Sequence, residues 1–101
     1  MNFIKKYFLK KKLKKAIDSI GVITPYMCNA LFYISGINKH KIPEFNYDSF
    51  KEFIELYYPE LACYMHPKSQ TYEYSIGWMT IDSEEIFKAK RHFLTNIMNS
   101  L

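Results

Sequence analysis

Glycine is scarce in this chain of 101 residues: only Gly21, Gly36 and Gly77 are present. No glycine-rich loop of the kind that cradles phosphate can be built from them. Cysteine is scarcer still. Cys28 and Cys63 form no CxxC pair and are too few for a disulfide framework. No apolar run approaches the roughly 18 residues needed to span a bilayer. The N-terminus carries lysines where a secretory signal would place its apolar core. These absences lead to the expectation of a cytoplasmic protein with no membrane partner. Acid is also missing from the start of the chain, since nothing before Asp18 is acidic.

The same scarcity argues against catalysis. Cys63 and His66 have C-x2-H spacing, with Cys28, His40 and His92 as the remaining soft ligands. A structural zinc site needs a second close pair, and there is none. No cysteine–histidine pair has an orienting acid near it in sequence, and no paired carboxylates stand out as acid and base. The expectation is a non-enzymatic protein with no metal and no cofactor.

Aromatic residues, by contrast, make up 18% of the chain, with nine Tyr, eight Phe and one Trp. Rings give a small core much contact area each, and a surplus of tyrosines also suits a binding surface. Charge is unevenly distributed. Seven of the 14 basic residues are Lys5, Lys6, Lys10, Lys11, Lys12, Lys14 and Lys15. The other seven face all ten acids, leaving positions 16–101 with a net charge of −3. A mildly acidic body thus carries a strongly basic leading segment.

The expected fold is mainly α, a compact single domain over residues 1–101 with four helices and one short β-hairpin or extended segment around 61–79. Residues 2–20 contain no Gly or Pro and are expected to be helical. Their apolar residues fall on two faces. Phe3, Ile4, Tyr7 and Phe8 share one, and Leu9, Leu13, Ala16, Ile17 and Ile20 share a face nearly opposite. Either the helix breaks near Leu9–Lys12, or its first turns pack on a different element or a second copy of the chain. Thr24-Pro25 marks the start of a second helix, which Gly36 ends. Asn46 caps a third, whose Phe50, Phe53, Ile54 and Tyr57 recur at i, i+3, i+4 and i+7 and which Pro59 ends. Tyr72, Tyr74, Ile76 and Trp78 alternate with polar or small residues, suggesting a strand with residues 61–65 as its hairpin partner. Asp82 to Glu85 reads as a capping box for a last helix, with Ile86, Phe87, Phe93, Leu94, Ile97, Met98 and Leu101 on one face.

Lys90 falls inside that last apolar stripe. One reading lets its stem pack while the ammonium snorkels to water or pairs with Glu52, Glu55 or Glu60. The other makes it a ligand contact, with Arg91 beside it and Trp78, Tyr72 and Tyr74 as stacking rings. That is the chemistry that holds a nucleotide or another phosphate-bearing ligand. The N-terminal lysines have a separate use in contacting nucleic-acid phosphates. A continuous apolar face, which a membrane helix needs, is broken at Leu9.

Three stretches resemble a layout found in small phage-encoded proteins of unknown function, C-x-x-L … W … R-x-x-[FW]-L. They are Met27-Cys28-Asn29-Ala30-Leu31, the aromatic run ending at Trp78, and Lys90-Arg91-His92-Phe93-Leu94 followed by Ile97-Met98. Lys90 stands at the arginine position of that layout, and Tyr26-Met27 replaces the glycine before the cysteine. The resemblance, which runs from Thr24 onward, implies a phage accessory factor in the host cytoplasm. Such a factor would neutralise a host defence component by binding a host protein or sequestering a nucleotide-like ligand. The alternative expectation is a small nucleic-acid-binding protein using the basic N-terminus.

Overall fold

The computed structural model describes residues 2–20, 42, 44–65, 79 and 83–101. Among these the chain is mostly helical, with α1 at Phe3–Ser19, α2 at Tyr47–Tyr57, a 3-10 helix η1 at Pro59–Tyr64, and α3 at Glu84–Ser100. The helix expected over residues 24–36 lies outside the described residues.

α1 is unbroken, which removes the break near Leu9–Lys12 from the alternatives that its two apolar faces left open. Asn2 starts it, its Oδ1 accepting from the Lys5 backbone N–H at 2.8 Å. Leu9, Leu13, Ala16 and Ile20 are buried along one stripe, whereas Phe3, Ile4, Tyr7 and Phe8 are exposed. Charge explains why this face turns inward. Turning the other face in would carry Lys11, Lys14, Lys15 and Asp18 with it at about 100° per residue. Each buried ion costs several kcal/mol unless it is paired. From Leu9 to Ile20 the inward stripe holds no charge of its own; the half-buried Lys6 and Lys12 flank it, and the exposed Lys5 precedes it by one turn.

α2 forms where its amphipathic spacing requires. A reciprocal capping box joins Asn46 and Ser49. The Ser49 N–H donates to Asn46 Oδ1 at 2.8 Å and the Asn46 N–H donates to Ser49 Oγ at 3.2 Å. Phe50, Phe53 and Ile54 are buried, while Tyr57 at the end of the same stripe is half-exposed.

Pro59 ends α2 and begins η1. Its fixed φ suits a first helical position. Leu61 is drawn into the core from there. Residues 61–64 therefore coil as part of η1 and do not form the expected hairpin strand. A single antiparallel bridge, Met65–Met79, is what the described residues show of β-structure. Tyr72, Tyr74, Ile76 and Trp78 lie outside the described residues.

The cap of α3 is Ser83, one residue later than the expected Asp82. Its Oγ accepts from the Ile86 N–H at 3.3 Å. With Ser83 as cap, Ile86 takes the position where Glu85 was to close a capping box, and no carboxylate can reach back from there. α3 packs against both α1 and α2. Its Phe93 is the aromatic centre of the core: ring centroids lie 5.0 Å from Phe50 in an edge-to-face contact, 5.5 Å from Phe53 and 6.2 Å from Phe45. Phe93→Ala should lower stability by about 3–5 kcal/mol, as large-to-small changes of buried rings do. Urea unfolding followed by circular dichroism measures it, and a loss below about 1 kcal/mol would show that Phe93 is not the centre of the packing.

Candidate functional site

Lys90 is only 2% exposed and sits among Ile86, Ala89, Phe93 and Leu94 on the core side of α3. The snorkelling reading is thereby corrected, because an ammonium led out to water would leave far more of the side chain accessible. Lys90 is also not stranded, since it has an interaction partner. Glu52, Glu55 and Glu60 all lie at the surface, and Glu55 is 4.0 Å from Lys51. Lys90 is thus a core residue whose charge is enclosed by the fold.

Arg91 is half-buried on the neighbouring face of α3. Its Nη1 donates to the Ile20 carbonyl at 2.9 Å. That carbonyl closes α1, whose own last turn contains no basic residue. A cation at a helix C-terminus satisfies an orphan acceptor and opposes the negative end of the dipole. Arg91 thereby joins two elements 71 positions apart.

Of the five residues expected to form a ligand site, Lys90 and Arg91 therefore serve the interior and the α1–α3 junction. Tyr72, Tyr74 and Trp78 lie outside the described residues.

His92 gains partners that its sequence neighbours do not reveal. Its Nδ1 shares a hydrogen bond with the Tyr58 hydroxyl at 3.0 Å. Its ring meets Phe53 edge-on at 4.9 Å between centroids, with Tyr57 at 5.5 Å and Tyr58 at 5.8 Å. The available signal was the Tyr57-Tyr58 pair before Pro59, but the 34-residue separation from His92 hides the contact. Among the described residues no three His, Cys, Asp or Glu side chains gather as a metal site requires.

The other concentration of chemistry is the outward face of α1. Phe3 is 84% exposed, Ile4 64%, Tyr7 55% and Phe8 52%. Large apolar side chains exposed together in this way mark an interaction surface more often than scattered ones do. Lys5, Lys10, Lys11, Lys14 and Lys15 are exposed around and beyond them, and Lys6 and Lys12 are half-buried at the flanks. Lys14 lies 3.7 Å from Asp18 one turn on, a solvated pair that restrains the lysine little. The Lys11 ammonium stands 5.9 Å from the centroid of the Tyr7 ring, at the outer range of a cation–π contact. The result is a rod with rings at its N-terminal end and ammonium groups over the next two turns. No helix among the described residues is long and apolar enough to cross a membrane.

No family, curated protein or solved structure matches the chain.

Two substitutions separate the interior cations from the surface ones. Lys90→Ala removes a buried stem and should cost about 2 kcal/mol or more. Arg91→Ala removes a charge-assisted hydrogen bond and should cost about 1.5 kcal/mol. Both are read from urea unfolding midpoints. A Lys90→Ala protein as stable as the parent would mean that the buried stem and its interaction partner add nothing net to the core.

Proposed function

We propose that this protein is a non-enzymatic binding protein whose partner is nucleic acid, engaged through the outward face of α1. The observation that carries the reading is the exposed lysine array on a helix with no acid before Asp18, on the side away from the core. Phosphates attract such an array without sequence information, and each contact releases condensed counterions. The positive end of the α1 dipole lies at the N-terminal tip, where the first turn holds no acid to offset it.

Capture of a host protein or of a phosphate-bearing small ligand around Lys90 and Arg91 has less behind it. A bulk ligand would have to reach an enclosed ammonium and a guanidinium already bonded to the Ile20 carbonyl. The lysines of α1 need no rearrangement to meet a polyanion.

Fluorescence anisotropy with a short labelled duplex, titrated across a salt series, tests the proposal. Four lysines on phosphates predict a log–log salt slope of about −3 to −4. Replacing Lys10, Lys11, Lys14 and Lys15 together with Gln should abolish most binding and flatten that slope, while the melting temperature stays nearly constant because all four are exposed. Binding that ignores salt, or that survives the fourfold change, would rule the proposal out.

A further inference from the structure

The lysine array alone would serve any polyanion, and it leaves the exposed rings of α1 unexplained. Resting on the nucleic-acid reading, we infer that Phe3, Tyr7 and Phe8 form a stacking platform for unpaired bases. The preferred partner is then single-stranded nucleic acid over duplex.

The geometry is that of separate ring faces beside cations. The Tyr7 and Phe8 rings meet edge to face, with centroids 5.5 Å apart and planes at 73°, so their faces point in different directions. Phe3 precedes Tyr7 by four residues, which places it about 6 Å away along the axis on the same side of the helix. The Lys11 ammonium stands 5.9 Å from the Tyr7 ring centroid, and Lys10, Lys14 and Lys15 continue along the rod. A strand laid along α1 meets ammonium groups with its phosphates and ring faces with its bases. Every unpaired base offers a π-face, so stacking of this kind is strong and indifferent to sequence. In a duplex those faces are already covered by neighbouring base pairs, and the rings gain nothing.

Charge complementarity selects this occupant over the others. A second copy docked through the same ring-bearing face would set two acid-free lysine clusters against each other. A bilayer would need a continuous apolar face, but Lys11 and Lys14 stand on the midline of the outward face, so only the tip is suited to lipid.

The full chain is titrated into labelled oligo(dT) of about 20 nucleotides, longer than the site of a typical single-strand binder, and into a duplex of equal length. The single strand should bind about tenfold tighter or more. A triple variant, Phe3→Leu, Tyr7→Leu and Phe8→Leu, keeps the apolar bulk and removes the ring faces. It should lose about tenfold or more on the single strand and less than about twofold on the duplex. Phe3→Leu alone, at the most exposed of these positions, should show part of the same loss with no change in melting temperature.

Equal binding of both oligonucleotides by the parent protein overturns the inference while leaving the nucleic-acid reading intact. So does a leucine variant that keeps the single-strand preference. Failure to bind either oligonucleotide at low salt overturns both. Phosphatidylserine vesicles form the last arm, and tight binding to them that survives the leucine changes, without single-strand preference, would assign the tip to lipid instead.

Discussion

A helix with apolar residues on two sides can bury only one of them against a single neighbour, and that constraint organises this molecule. In α1 the stripe Leu9–Leu13–Ala16–Ile20 is committed to the core. Full burial of each large aliphatic side chain is worth about 1.5–3 kcal/mol. Taking the other face inward would gain Phe3, Ile4, Tyr7 and Phe8, but would enclose Lys11, Lys14, Lys15 and Asp18 as well. The desolvation of four ions outweighs what four apolar side chains return. Arg91 fixes the choice at the far end by holding the Ile20 carbonyl. The exposed rings are therefore the necessary complement of how the core is made.

α3 carries the consequences through the rest of the fold. Phe93 joins the rings of Phe45, Phe50 and Phe53, while Leu94, Ile97 and Ile86 complete the interior surface of the helix. Lys90 sits in the middle of that surface. A buried cation is retained only with a partner, and Lys90 has one. Its neighbours Arg91 and His92 each reach a different element, Ile20 at the end of α1 and Tyr58 after α2. Three consecutive polar residues thus face the core, the α1 junction and the α2 junction in turn. Successive side chains on a helix diverge by about 100°, so the run Lys90-Arg91-His92 can serve three directions at once.

What was legible in the sequence is what depends on neighbours along the chain. The Asn46 cap and the Phe50–Phe53–Ile54 stripe of α2 follow from spacing alone, and so does the existence of α3. Features that depend on contacts distant in sequence were misread or missed. Two apolar faces on α1 left a break, a different packing element and a second copy all open, because periodicity cannot tell which face the core will take. Residues 61–64 were expected as one arm of a hairpin, but a proline at a first helical position and an anchored Leu61 favour coiling there, while the alternating run from Tyr72 to Trp78 lies outside the described residues. Lys90 was legible as an anomaly, while its enclosure was not, since burial is decided by elements far along the chain. The lysines of α1 were legible as charge. That they line a face turned away from the core became evident only once that core was fixed.

The outward face of α1 also differs from what a merely solvated helix requires. Solubility calls for charge and mixed signs, and this face has neither acid before Asp18 nor polar residues over its first two turns. Rings exposed at a helix end promote self-association, unless like charge close by opposes it. The lysines beginning at Lys5 supply that opposition against the same face of a second copy of the chain. The same charge attracts any partner of opposite sign, so one arrangement disfavours self-association and favours a polyanion. A polyanion with accessible flat faces would use both halves of the surface, the ammonium groups and the rings.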